Sequence, residues 1–390
     1  MSGLHRVAGN QLTLLQNGTE FFPRLCADID AAQHSICLET YIFAADGTGQ
    51  MVAAALQRAA ARGVVVRVML DGFGSAELPQ HWVDELRTAG VEVEWFRRKI
   101  SPLTLRRSRL RRMHRKLAVM DGEVAFVGGI NIIDDVEGYS GFFVPRLDYA
   151  VRVQGAVAGE IHTAMRRLWS AVSWANFRGR GKRIQRFVFD RLKQVAASDI
   201  AFLLRDNLRH RRDIERAYLR AIAGAQQEII IASAYFLPGR VFRRALVQAT
   251  RRGVRVVLLL QGRVEYRLQH YATHALYDRL LAAGIEIYEY QASYLHAKVA
   301  VVDGQWATVG SSNIDPFSLL LAREANLAVQ DAGFAGELRA SLLAAIANDA
   351  VRIGDEYGGT RNLMGRLIAR FSYGIVRLLV GTLGHRRGGS

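Results

Sequence analysis

The chain has 390 residues, half of them hydrophobic and only six of them proline, which excludes a disordered polymer and leaves room for two domains of ordinary size. Its formal net charge of +16 calls for an acidic partner: nucleic acid, anionic lipid or a phosphorylated substrate. Cys26 and Cys37 are the only cysteines, with no metal-ligand spacing and no disulfide framework, so a reducing compartment is expected.

In chain order, QLTLLQNG (11–18) is a strand-like entrance, and ICLETYIF (36–43) reads as a buried strand. A helical segment then runs to Arg62-Gly63, where the glycine predicts a stop. VVVRVML (64–70) is a β-branched run of the kind covered on both faces. A second helix ends at LRTAG (86–90), and VEVEWF (91–96) alternates as a strand does. An arginine-rich insertion, 99–112, follows. Between Arg97 and Lys116 ten of twenty residues are Lys or Arg, a candidate funnel for anionic headgroups.

The same order then returns. IAFLLRDN (200–207) resembles the entrance, and IIIASAYF (229–236), a helix to Arg252-Gly253, VRVVLLL (254–260), a helix to LLAAG (280–284) and IEIYEY (285–290) repeat the rest. Strand–helix–strand–helix–strand, twice over, predicts a duplicated α/β domain with a largely parallel sheet. The basic stretch FRGRGKRIQRF lies between the halves as their connector. The expected divisions are a first domain over 1–178, a connector over 179–199, a second domain over 200–345 and a tail over 346–390.

One pattern occurs in both halves: His114-x-Lys116-x4-Asp121 and His296-x-Lys298-x4-Asp303, 182 residues apart. An asparagine, Asn131 or Asn313, stands 17 residues after each histidine, and ten of the eighteen aligned positions are identical. In a strand, i and i+2 share a face, so each histidine is expected beside its lysine. The turn GGIN or GSSN then returns the asparagine to the histidine. This set suits double displacement at phosphorus. A neutral imidazole attacks while a protonated one gives its proton to the departing oxygen. The lysines and asparagines hold the non-bridging oxygens. Such chemistry needs no metal or other cofactor, and none is expected. Asp121 and Asp303 precede glycines, which is turn chemistry, and their own residue types favour a structural role; Gly128 and Gly310 read as backbone devices.

The duplicated H-x-K-x4-D with its downstream G-G/S-x-N resembles the phospholipase D superfamily over nearly the whole chain to about residue 345. RRMHRKLAVMDGEVAFVGGIN (111–131) and LHAKVAVVDGQWATVGSSNIDPFSLLLAREAN (295–326) are most similar to bacterial cardiolipin synthases of the B type. The resemblance implies two α/β/α sandwich domains with mixed sheets and an active site at their interface. It places His114, Lys116, Asp121, His296, Lys298 and Asp303 in the catalytic signature. It further implies a phosphohistidine formed by His114 from phosphatidylglycerol, His296 as acid and base, release of glycerol, and transfer to a second phosphatidylglycerol. The alternative is a phospholipase D or phosphodiesterase hydrolase using the same histidines. A carboxylate is expected to orient each histidine: Glu324 for His296 and Asp148 for His114. Ala322 departs from the family, where a polar residue is expected.

Residues 361–383 (RNLMGRLIARFSYGIVRLLVGTL) place apolar side chains at helical spacing with interspersed arginines, as a basic amphipathic helix on a membrane does. The first twenty residues lack a signal peptide's apolar core, and no run reaches the roughly 18 apolar residues of a membrane span. The expected partners are anionic phospholipid and a membrane surface, not nucleic acid. The expected place is peripheral, on the cytoplasmic side of a bacterial inner membrane.

Overall fold

Within the two halves the apolar runs become strands and the helical stretches between them become helices, in a similar order in both. The computed structural model describes residues 3–97, 111–135, 145–177, 199–206, 210–264, 267–315, 322–354, 371 and 374. Most of the arginine-rich insertion (99–110), nearly all of the connector and the tail residues 355–370, 372–373 and 375–390 lie outside the described residues.

The first half opens with β1 (Leu4–Val7), β2 (Asn10–Gln16), α1 (Asn17–Ala31), β3 (Ser35–Thr40), α2 (Gly47–Ala61) and β4 (Val65–Asp71). It continues through α3 (Gln80–Thr88), β5 (Glu92–Phe96), β6 (Arg112–Met113), β7 (Lys116–Met120), β8 (Val124–Gly128), β9 (Tyr149–Gln154) and α4 (Ala156–Phe177). The second half opens with β10 (Ile200–Arg205), α5 (Asp213–Gly224), β11 (Glu228–Ser233), α6 (Arg240–Arg251), β12 (Arg255–Gln261) and α7 (Arg267–Leu281). It closes with β13 (Glu286–Tyr290), β14 (Lys298–Val302), β15 (Trp306–Gly310), β16 (Ala322–Gln330), α8 (Ala332–Asp349) and β17 (Ala350–Ile353). Gly63 and Gly253, both at φ +87°, end α2 and α6 where the sequence predicts.

The sheets are mixed, with less parallel pairing than the strand–helix order predicts. Their orders are β1-β2-β9-β8-β7-β3-β4-β5 and β10-β16-β15-β14-β11-β12-β13-β17. Helical crossovers make β3–β4–β5 and β11–β12–β13 parallel. The tight turns 121–123 and 303–305 reverse the chain, so β7–β8 and β14–β15 are antiparallel. β17 pairs with β13, so the second sheet draws on residues beyond 345.

Among the described residues three large cores, with a small fourth of Met69, Phe96, Met113, Leu168 and Val172, hold the layers together. One lies under α1–α3 and one under α5–α7. The third joins the two sheets face to face, with Val127, Val151, Val309 and Leu327 meeting between them and α4 and α8 packed at its sides. β7 and β14 run against β3 and β11, so their first residues lie at the ends where β3 and β11 finish. There β6 pairs with β16, and Leu147 bridges Leu295, joining the halves through backbone. Among the described residues no helix is long and apolar enough to cross a membrane.

Candidate active site

Each histidine is pinned by backbone to the opposite half. His114 N donates to Arg323 O at 2.9 Å, and His296 N donates to Leu147 O at 2.9 Å. The preceding amides are held as well: Met113 N donates to Asp71 Oδ2 at 2.7 Å, and Leu295 N donates to Gln261 Oε1 at 2.8 Å. Asp71 and Gln261 end β4 and β12 in equivalent places. Sequence reasoning missed them, although a polar residue directly after VVVRVML and VRVVLLL was the signal.

The orienting carboxylates are exchanged relative to the sequence expectation. His114 Nδ1 lies 3.0 Å from Glu324 Oε2, and His296 Nδ1 lies 2.5 Å from Asp148 Oδ2. Each acid therefore serves the histidine of the other half. The reason is geometric: Glu324 directly follows the β16 residues that pair with β6, and Asp148 directly follows Leu147, which bridges Leu295, so both stand where the halves meet. A carboxylate accepts only, so each Nδ1 donates and each Nε2 keeps its lone pair. Among the described residues neither Nε2 has a hydrogen-bond partner. The ring side chains retain 17 % and 14 % exposure, an open edge in an otherwise buried site.

The lysines start β7 and β14. Lys116 Nζ donates to His114 O at 2.7 Å and stands over the Tyr41 ring, 5.3 Å from its centroid. Lys298 Nζ donates to His296 O, faces Asp148 Oδ2 at 3.7 Å and lies 2.8 Å from His296 Nδ1. A nitrogen donating to Asp148 cannot also accept from the ammonium, so we take the carbonyl as the lysine's acceptor.

Burial is the largest influence on both imidazoles and lowers both proton affinities. At His114 the Glu324 carboxylate opposes it in part; at His296, reinforced by Lys298, it brings the pKa to about 3. Burial, reinforced by Lys298, lowers Lys116 to about 7. Burial alone would raise Asp148, but Lys298 and His296 outweigh it and keep the carboxyl below its usual range. Lys298 also acts on His114, and Lys116 on His296, so the two motifs share one electrostatic site.

Asn131 and Asn313 are buried after β8 and β15, on turns at the histidine end. Asn131 Oδ1 accepts from Ile42 N at 3.3 Å, while Asn313 Oδ1 is buried without a partner among the described residues. The surrounding shells differ. Gly129 packs against Asp148, where a Cβ would come within 2.3 Å of Oδ1. The equivalent Ser311 donates to Glu324 Oε2 at 2.6 Å. Arg115, between His114 and Lys116, forms a buried ion pair with Glu39; the corresponding residues of the second half are Ala297 and Ala232. Sequence inspection had no signal for that pair.

Asp121 and Asp303 are not at the site. They occupy the turns at the far ends of β7 and β14, with φ +54° and +52°. Asp121 accepts from Gln33, His34 and Ser35 N, and Asp303 from Gln226, Gln227 and Glu228 N, all at 2.8–2.9 Å. Burial alone would raise these carboxyls, but the backbone donors outweigh it and hold them low. These bonds tie the turns after β7 and β14 to the starts of β3 and β11, at Ser35 and Glu228.

The two imidazoles, each with Nδ1 on a carboxylate, and the two lysines thus form one electrostatic site, with Asn131 and Asn313 buried on turns at the same end of the sheets. A family model described as cardiolipin synthase, PLD-like domain, matches residues 25–169 and 218–345. The chain is 40 % identical over 356 residues to cardiolipin synthase B of Salmonella typhi, covering 88 % of this chain and 82 % of that protein. It is 38 % identical over 356 residues to cardiolipin synthase B of Escherichia coli K12, with the same coverage. The phosphatidylserine synthase of Haemophilus influenzae Rd KW20 has a similar fold, with TM-score 0.70 and 15 % identity over 98 % of this chain and 96 % of that one. The polyphosphate kinase of Porphyromonas gingivalis follows at TM-score 0.58 and 14 % identity, over 94 % of this chain and 53 % of that one. The chain belongs to the cardiolipin synthase family of phospholipase D-like enzymes.

Proposed function

We propose that the protein makes cardiolipin from two molecules of phosphatidylglycerol through a phosphohistidine. The reading is carried by one observation: two imidazoles, each with Nδ1 on a carboxylate of the other half, share a single site with two lysines. His114 Nε2 attacks the donor phosphorus, forming a P–N bond as the P–O bond to the headgroup glycerol breaks. His296, having taken up a proton in the substrate complex, gives it to the departing alkoxide, and glycerol leaves. His296 then takes the proton from the hydroxyl of the second phosphatidylglycerol, whose oxygen displaces His114 from phosphorus. Lys116, Lys298, Asn131 and Asn313 hold the non-bridging oxygens as charge grows on them.

Gly129 and Ser311 tune the two carboxylates from behind. Ala322, opposite Arg112 in the β6–β16 pair, leaves room at the mouth and bears on the choice of acceptor. The enzyme acts peripherally, on the cytoplasmic side of a bacterial inner membrane. The basic segment 361–383 of its tail, nearly all of it outside the described residues, adds membrane affinity.

The test is incubation of purified protein with vesicles of headgroup-labelled phosphatidylglycerol, with and without phosphatidylethanolamine. Cardiolipin with stoichiometric glycerol is expected; phosphatidic acid as sole lipid product would establish hydrolysis instead. His114→Ala and His296→Ala are each expected to abolish turnover, and full activity in either one contradicts the shared site.

A further inference from the structure

Strands β3, β4, β11 and β12 all finish at the end of the sheets where His114 and His296 lead into β7 and β14. The connections leaving those strands therefore form the rim of the active-site face. Large apolar side chains are exposed on it: Phe73 (58 %) after β4, Val241 (62 %) at the start of α6, and Val264 (47 %) and Leu268 (39 %) after β12. Neither burial nor catalysis accounts for them. Arginines are interspersed with them in sequence, and one stacks on Phe73. Arg240 and Arg244 flank Val241, Arg267 precedes Leu268, and the Arg112 guanidinium lies 4.8 Å from the Phe73 ring centroid.

The charge pattern is not one that helix stability favours. The first turns of α6 and α7 hold arginines and no acidic residue, so cations sit at the positive ends of both helices. An external anionic surface reverses that penalty. Apolar side chains interleaved with arginines are also what an interfacial surface presents: the first enter the headgroup–acyl boundary while the second meet phosphates. A nucleic acid would satisfy the arginines and leave the aliphatic side chains without a role.

We infer that this rim, with Phe73, Val241, Val264 and Leu268 inserted and Arg240, Arg244 and Arg267 on lipid phosphates, docks the enzyme on an anionic bilayer with the histidine cleft facing the lipid. This deepens the phospholipid reading of the site and rests on it. Docking by this face would let a headgroup reach the histidines with its acyl chains still in the membrane.

The test is sedimentation of full-length protein with vesicles of equimolar phosphatidylglycerol and phosphatidylcholine. The double variant Val241→Asp/Leu268→Asp is expected to partition about tenfold more weakly, because two apolar insertions are lost. Val65→Asp, exposed at the opposite end of β4, is expected to bind as the parent does. Circular dichroism and turnover of short-chain, monomeric phosphatidylglycerol check that the double variant is folded and competent. Unchanged partitioning of the double variant overturns the inference, as does an equal loss in Val65→Asp. Binding that depends on Arg240 and Arg244 but not on Val241 and Leu268 also overturns it, since that marks a surface for a soluble polyanion. Partitioning reads docking without turnover, so failure of the transferase reading remains distinguishable from failure of the docking face.

Discussion

His114 and Glu324 stand 210 positions apart in the chain and 3.0 Å apart at the site. Glu324→Gln removes the anion and leaves the shape. We expect it to lower kcat by about 10²-fold or more with little change in KM, since the lost interaction strengthens as the imidazole gains positive charge. The pairing has its own readout: the downfield Nδ1–H proton resonance of His114 should vanish in Glu324→Gln and persist in Asp148→Asn. The reverse pattern would restore the within-half pairing.

Lys116 has a folded-state pKa of about 7, against 10.5 for an ordinary lysine. Its ammonium is present below about pH 7 and is lost above it in the free enzyme. The expected consequence is a fall in kcat/KM for phosphatidylglycerol as pH rises through that value, reported chiefly as a rise in KM. Lys116→Arg, which keeps its charge, should flatten that limb even though its turnover is lower; an unchanged limb would assign the titration elsewhere.

His296 is buried as a neutral ring, which ties stability to pH. Its pKa falls from 6.5 unfolded to about 3 folded, so between these values the unfolded chain binds more protons. The stabilising effect of raising pH is thus complete above about 6.5 and is lost progressively on acidification towards 3. Denaturant midpoints measured across this window should decline more shallowly in His296→Gln than in the parent.

Asp121→Ala removes one acceptor from three backbone amides. It is expected to lower stability by about 1–2 kcal/mol, with kcat near parental at a temperature where the variant is folded. Asp121→Asn, which still accepts and tolerates a positive φ, should lose less. A large fall in kcat without a fall in melting temperature would return Asp121 to catalysis.

Much of this was legible because it is periodic or repeated. The doubled motif marks the histidines, and Asp-Gly at 121–122 and 303–304 marks the turns. The apolar runs gave the strands, but their number of parallel pairings was overestimated because helical crossovers are easier to see in a sequence than tight reversals. The exchange of Glu324 and Asp148 was hidden for another reason. Proximity in sequence favours pairing within a half, whereas the contact depends on how two sheets dock. The Arg115–Glu39 pair was equally hidden, since nothing local links positions 76 residues apart.

Gly129 lies directly behind the Asp148 carboxylate. A Cβ there would press on the Asp148 carboxylate, so Gly129→Ala should displace the acid from His296 and impair turnover strongly while leaving His114 oriented. Ser311→Ala deletes one hydrogen bond to Glu324 and is expected to cost about tenfold in kcat. Equal, small effects for both would mean that the two acids are held by the sheets alone.

The crossed acid–histidine contacts also constrain ancestry. A lone repeat of this design would carry a histidine whose acid it could reach only in a second copy, so a one-repeat forerunner had to work as a pair. In such a pair the two histidines are identical by symmetry. Joining the repeats in one gene removed that equality: Glu with serine now backs one ring, Asp with glycine backs the other, and Arg115 has no twin. Fusion made it possible for selection to give the two imidazoles separate trades.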